Sequence, residues 1–335
     1  MYLFLRMSNH TNKNSDSFQK IGCTIPCYKG GQITINLIKE LHCYVDLIVL
    51  VDDGCPFKTG NLAKDYFKDS DKLHVIHNEF NKGLGFSVKR GFKFLIQKGC
   101  EVIVKIDADG QMKPELIPFL IKPIFANKSD AVKGNRFTSI DNIISMPKIR
   151  IARNLILTFL NKLSTGYWEL SDPTNGFLAF NRISLEKVRL DKLDDKYFFE
   201  SDLLFQCSLA NIFFEQLPMK SVYGGEISSL NPLKQIIIFS KQHIVNFFKR
   251  IIYHYFVLDF NAGSLEIIGF LFFSFSTLIT FFKIYFRGLS NNEFATPGEA
   301  NLISILFLVS IQLLLGILYF DSTYQPLMRQ IKRWR

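Results

Sequence analysis

From residue 21 onward the chain alternates short apolar runs with amphipathic stretches. Residues 21–26 read as a strand ending at proline, 32–42 as a helix, and 46–51 as a second strand running into Asp52-Asp53-Gly54. Residues 59–67 read as a helix, 74–77 as a short strand and 85–97 as another helix. A strand through Ile103-Val104-Lys105-Ile106 then stops at Asp107. Strands alternating with helices build βαβ units, so the expected fold class is α/β with a mainly parallel sheet. The successive strand ends carry Pro26-Cys27-Tyr28, Asp52-Asp53 and Asp107-Ala108-Asp109. Polar clusters recurring at the carboxyl ends of such strands suit one nucleotide crevice.

Beyond residue 230 the pattern changes. Residues 231–260 interleave apolar positions with Lys234, Lys241, His243, Lys249, Arg250 and His254. This reads as amphipathic helices lying in a membrane interface, with a solvated helix of the soluble domain as the alternative. Residues 265–286 are almost wholly apolar until Lys283, and 302–320 are apolar apart from Ser304, Ser310 and Gln312. Each run approaches the roughly 20 residues that cross a hydrocarbon core, and neither has the polar face of a core helix. Glu266 opens the first run, within reach of the headgroups. The chain is thus divided into a flexible N-terminus (1–19), an α/β domain (20–228), juxtamembrane helices (229–262), a first span (263–287), an external loop (288–301), a second span (302–321) and a basic tail (322–335).

Charge orients this arrangement. Arg329, Lys332, Arg333 and Arg335 follow the second run, while the loop between the runs holds one Arg and two Glu. The positive-inside rule then places the α/β domain and both termini in the cytoplasm, with the protein integral to an inner or plasma membrane. The net charge of +10 favours anionic lipid. No nucleic-acid-binding motif accompanies it, so no nucleic-acid partner is expected.

The segment richest in chemistry is Asp107-Ala108-Asp109-Gly110-Gln111. Carboxylates at i and i+2 of an extended chain project to one side. They offer hard oxygens to Mg²⁺ or Mn²⁺, which keep waters and take phosphates as further ligands. By itself the segment also fits a solvated strand-to-turn corner, and Asp52-Asp53-Gly54 equally fits a turn. Other patterns fail. Val88 stands where a dinucleotide fingerprint starting at Gly83 needs its third glycine, and Pro118 stands where a calcium loop starting at Asp107 needs a bidentate Glu. His74 and His77 point to opposite faces of a short strand, which suits packing or surface roles. The six cysteines match no zinc spacing and would stay reduced in the cytoplasm.

Taken together, the ordered motifs resemble family 2 glycosyltransferases of GT-A fold. They are Ile25-Pro26-Cys27-Tyr28-Lys29, Val51-Asp52-Asp53-Gly54, Asn81-Lys82-Gly83-Leu84-Gly85, Asp107-Ala108-Asp109-Gly110-Gln111, Gly134-Asn135-Arg136 and Asp172-Pro173-Thr174-Asn175-Gly176-Phe177. With two C-terminal spans and Phe294-Ala295-Thr296-Pro297 before the second, the chain is similar to the polyprenyl-phosphate group containing dolichyl-phosphate mannose synthase and bactoprenol glucosyltransferase. The resemblance implies that Pro26, Tyr28, Asp52, Asp53, Lys82, Gly83 and Asp107 bind the donor nucleotide, with Asp53 on the base or ribose. It implies Asp109 and Gln111 as ligands of Mg²⁺ or Mn²⁺. Lys29-Gly30 stands where the family usually has Asn-Glu, so one family carboxylate is missing.

Arg136 and Arg150 match family positions and are assigned to the acceptor phosphate, which guanidinium binds bidentately. Arg153 competes with Arg150, and an ordinary surface charge is the alternative for each. Asp172 and Glu200, or Asp202 in place of Glu200, would complete the acceptor side. Because a phosphate monoester's second pKa is about 6, such a carboxylate can orient the acceptor instead of removing a proton. The implied activity is inverting transfer from a nucleoside-diphosphate sugar, UDP-sugar favoured, to undecaprenyl or another polyprenyl phosphate. The rivals are transfer to a lipid hydroxyl or glycan, and a silent membrane scaffold. Packing between spans would allow a homo-oligomer. Gln330-Ile331-Lys332-Arg333-Trp334 spells a processive-synthase signature, but it follows the last span and reads as a cationic, Trp-bearing anchor.

Overall fold

The computed structural model describes residues 19–137, 148–220 and 232–332. Contacts divide the chain into two compact units. One runs to Asn246 except for Gly166–Trp168, which belong with Phe247–Arg335 in the other.

The first unit is built on seven strands: β1 (Ile21–Cys27), β2 (Leu47–Asp52), β3 (Leu73–His77), β4 (Val102–Lys105), β5 (Ala131–Asn135), β6 (Leu178–Asn181) and β7 (Phe214–Pro218). Their order is β3-β2-β1-β4-β6-β5-β7. All neighbours are parallel except β6, which lies antiparallel between β4 and β5. The helices α1 (Gly31–Leu41), α2 (Thr59–Tyr66) and α3 (Leu84–Gln97) lie between the first four strands, within two residues of the stretches expected from periodicity. β1 and β2 are buried along their whole length, as expected of parallel strands covered on both faces. Then come α4 (Ile117–Phe125), α5 (Lys148–Thr165), α6 (Arg182–Glu186) and α7 (Phe199–Leu209).

The register of β6 is what positions the site. Leu178 pairs with Lys105 on one side and with Lys133 on the other. Directly paired residues share a face, so one row across three buried strands carries two lysines.

The next helix, α8 (Pro232–Ile252), wears its polarity reversed. His243 and Asn246 are buried, whereas Ile237, Ile244, Val245 and Phe248 are exposed. Within the first unit, His243 Nδ1 lies 2.8 Å from Ser164 Oγ, and Asn246 Nδ2 donates to Asp202 Oδ1 at 3.1 Å. Burial lowers the His243 pKa to about 4, which keeps the ring neutral.

In the second unit, α9 (Ala262–Asn291) and α10 (Pro297–Lys332) occupy the two apolar runs. Both are long and apolar enough to cross a membrane. Their large apolar side chains, such as Phe272, Phe275 and Leu308, are exposed, unlike those of a soluble core helix. At the short turn between them, Arg287 donates to both Glu299 oxygens at 2.7 and 2.6 Å. Glu299 in turn accepts the Thr296 amide and caps α10. Toward the other end, Asp321 accepts Arg250 Nη1 at 2.6 Å, Arg250 Nη2 at 3.0 Å, Tyr255 Oη at 2.7 Å and Trp168 Nε1 at 2.7 Å. Arg329 was expected in a basic cytoplasmic tail. It is instead 1% exposed, donating to the Gly166 carbonyl and lying 4.1 Å from the Tyr167 ring centroid.

Candidate active site

The site begins with two buried lysines, Lys105 at the end of β4 and Lys133 within β5. Lys105 Nζ donates to Asp107 Oδ1 at 2.6 Å and to Glu200 Oε1 at 3.3 Å. Its side chain is fully buried, while Asp107 is 26% exposed. Burial opposes the Lys105 charge, but the two carboxylates outweigh it and raise its pKa. Across β6, the Lys133 ammonium donates to the Asn175 carbonyl. Burial lowers its pKa to about 8, against the pull of Glu200 and Asp172. Glu200 sits in the first turn of α7, and burial raises its carboxyl against the pull of Lys105 and Lys133.

Arg136 follows β5 and grips Asp172 as a fork, with Nε on Oδ2 at 2.7 Å and Nη2 on Oδ1 at 2.8 Å. Its amide adds a third bond to Asp172 Oδ2 at 3.1 Å. Asp172, expected on the acceptor side, is buried and holds this guanidinium. The turn it opens ends at Gly176, where a Cβ would run into the Asp107 carboxylate and the Lys105 ammonium. The Asp-Pro-Thr-Asn-Gly motif therefore touches the Asp-x-Asp motif directly. The side chains of Arg150 and Arg153 lie outside the described residues.

The structure separates Glu200 from Asp202. Asp202 Oδ2 accepts the Asp194 amide at 2.9 Å and Oδ1 accepts Asn246, whereas Glu200 joins the lysine cluster. Two positions apart on a helix means about 200° of rotation, so the two carboxylates face different neighbours.

At the end of β2, Asp52 Oδ1 accepts the Cys55 amide and Oδ2 the Gly60 amide, each at 2.7 Å. Asp53 Oδ1 accepts Asn78 Nδ2 at 2.6 Å and the Lys82 amide at 2.9 Å, and its Oδ2 accepts the Gly83 amide at 2.9 Å. Both aspartates are buried and shape the loops around them. The Lys82 ammonium lies over the Phe80 and Phe86 rings. Gly83 has φ +106°, and a Cβ there would strike the Asp195 carbonyl. Its smallness thus serves loop packing as well as the turn. Pro26 lies next to last in β1, opposite Val51, and Tyr28 stands 47% exposed just beyond the strand. Lys29 adopts φ +62°, its amide donating to Cys55 Sγ at 3.1 Å and its ammonium lying 5.5 Å from the Tyr28 ring centroid.

Asp109 Oδ1 accepts the Gln111 amide at 3.0 Å, which folds both residues into one loop. Among the described residues, no three His, Cys, Asp or Glu gather into a cage. One carboxylate and one amide oxygen instead fit Mg²⁺ or Mn²⁺, which fill their remaining positions with water and phosphate.

Lys105 and Lys133 were missed in the sequence. The signal was present: a lysine inside an otherwise apolar strand is out of place, because a buried charge is costly unless paired.

A Glycosyl transferase family 2 model matches residues 24–189. Polyprenol monophosphomannose synthase of Mycolicibacterium smegmatis is 31% identical over 186 residues, covering 54% of this chain and 69% of that one. A UDP-N-acetylglucosamine–dolichyl-phosphate N-acetylglucosaminyltransferase of Methanococcus voltae is 28% identical over 213 residues, covering 59% and 84%. Among solved structures, mannosyl-3-phosphoglycerate synthase from Rubrobacter xylanophilus shares the fold, with a TM-score of 0.50 at 15% identity over 72% of this chain and 77% of that one. The family model spans the strand-end motifs, and the mycobacterial relative extends the match over most of its own length: the chain belongs to glycosyltransferase family 2.

Proposed function

We propose that the protein is a membrane-bound inverting transferase that moves one sugar from a nucleoside-diphosphate sugar to a polyprenyl phosphate. The observation that carries this reading is the contact of Gly176 with Asp107 and Lys105, which joins the Asp-Pro-Thr-Asn-Gly motif to the Asp-x-Asp motif. The names of the mycobacterial and methanococcal relatives support a polyprenyl-phosphate acceptor. A UDP-sugar is the first donor to try.

A hydroxyl acceptor needs a base to take its proton. Asp172 is forked by Arg136, and Glu200 is paired with Lys105. Those pairings suit an acceptor that arrives already ionised, as a phosphate monoester does near neutral pH. In the proposed reaction an acceptor phosphate oxygen attacks the anomeric carbon opposite the departing nucleoside diphosphate, inverting that carbon. Arg136 orients the acceptor phosphate, and the Asp53-anchored loop with Tyr28 frames the nucleotide. Asp109 and Gln111 would hold the divalent cation, which when bound supplies positive charge to the leaving diphosphate. The outward apolar stripe of α8 and the two long apolar helices support seating in a membrane. The charge bias around the spans supports a cytoplasmic site.

The test is to incubate detergent-solubilised protein with polyprenyl phosphate and a panel of nucleotide sugars, with and without Mn²⁺, and to weigh the lipid product by mass spectrometry. A metal-dependent glycosyl-phosphate lipid is expected. Product from the free polyprenol instead would overturn the phosphate acceptor, and no product from any donor would overturn the reading.

A further inference from the structure

We propose that Lys105 is a positioning residue for the transfer, its ammonium setting the donor-side carboxylate of Asp107 while Glu200 clamps that ammonium in place. The inference rests on the transferase reading above. Lys105 has no exposed surface, so whatever it does for a substrate it does through its neighbours. One neighbour, Asp107, is partly exposed at the strand end; the other, Glu200, reaches in from α7.

Three observations converge. First, lysine is a poor choice for stability in the middle of a sheet, since a buried ion pair is commonly no better than well-packed apolar residues. Its presence at β4 calls for another advantage, and orientation is the one the contacts supply. Second, Asp107 is held on two sides, by Lys105 at 2.6 Å and by the bare backbone of Gly176, so its carboxylate has little freedom to swing. A carboxylate facing a diphosphate would repel it unless neutralised and aimed, and Lys105 does both. Third, the charges around this ammonium match: Asp107, Glu200 and Asp172 against Lys105, Lys133 and Arg136, all joined by contact or by field. Removing Lys105 leaves two carboxylates side by side, which turns Asp107 away from the donor as well as weakening the fold.

The experiment separates those two effects in the full chain in detergent. Binding of fluorescent UDP, GDP, CDP and dTDP with Mn²⁺ is titrated alongside thermal unfolding, for wild type, Lys105→Arg, Lys105→Met, Glu200→Gln and the double variant Lys105→Met/Glu200→Gln. Supporting contacts around metal ligands typically matter by about 10- to 100-fold, and by analogy a loss of that size in nucleotide affinity is expected in Lys105→Met. Lys105→Arg should hold nucleotide within about threefold, because the charge is kept. The double variant removes the uncompensated buried carboxylate, so its unfolding temperature should recover while nucleotide binding stays weak. Recovery of both, or wild-type binding by Lys105→Met, would overturn the inference and leave Lys105 a purely structural residue. If wild type binds none of UDP, GDP, CDP and dTDP with Mn²⁺, the transferase reading falls and takes this one with it. The double variant also carries the test if Lys105→Met alone fails to fold.

Discussion

Two buried charge clusters, one in each unit, look alike by composition and behave differently. Around Asp321, two nitrogens of Arg250 with Tyr255 and Trp168 give one carboxylate four donors, and its side chain is 4% exposed. Around Lys105 the balance is looser. Asp107 and Arg136 are each 26% exposed, Lys133 is pulled down to about 8, and the Glu200 carboxyl is pushed up. Burial and charge alone therefore do not mark a catalytic centre. What distinguishes the first unit is that its charges open onto solvent at strand ends and are matched in number without each being saturated.

The comparison breaks most sharply at Asp321. Asp321→Leu strands the Arg250 charge, and losing one partner of a buried pair costs about 3–5 kcal/mol. A marked fall in unfolding temperature is expected, largely reversed in Asp321→Leu/Arg250→Met. No such rescue would mean that the pair is not the source of the stability. Asp109→Ala should do the opposite, leaving the unfolding temperature near wild type and lowering transfer by about 100- to 1,000-fold, the scale of a lost charge-stabilising group. Full transfer by that variant in the lipid-product assay would remove Asp109 from the metal site.

Smaller effects should divide the two carboxylates of α7. Glu200→Gln should lower transfer by about 10-fold, the size of a disturbed supporting contact. Asp202→Asn should cost about 1–2 kcal/mol of stability through its bonds to the Asp194 amide and Asn246, with little change in turnover per folded molecule. The reverse pattern in paired activity and melting measurements would reassign them.

The mildest test is pH. Lys133 is protonated below about 8, so transfer should decline as pH rises through that value and the cluster loses a cation. In Lys133→Met the limb should vanish from the pH–rate profile. Stability has the opposite sign. Between about 8 and the ordinary 10.5 the unfolded chain keeps a proton that the folded chain has shed, so this residue's contribution rises with pH across that window.

The strands and the carboxylates at their ends were legible because local periodicity and turn chemistry encode them. Asp107, Asp109 and Gln111 follow a run that could only be a strand, and the structure ends β4 two residues earlier at Lys105. The antiparallel insertion of β6 was not legible, since nothing near Leu178 says that it will pair with both Lys105 and Lys133. The same reason hid the Asp172–Arg136 fork, whose members lie 36 residues apart. Glu200 and Asp202 could not be ranked because both stand in one helical turn, and only the surroundings of that helix separate them. Arg329 was legible only as one cation of a basic tail, since nothing local says that it will lie against Tyr167 and the Gly166 carbonyl.

Gly176 makes the site a gauge with no adjustment screw. With no Cβ at this position, the Asp-Pro-Thr-Asn-Gly turn rests directly on the Asp107–Lys105 pair. A methyl group there would fall on the Asp107 carboxylate and the Lys105 ammonium, so those two side chains would have to shift and their pairing would be disturbed. Position 176 thus sets how closely one motif can approach the other, and it does so by carrying no side chain.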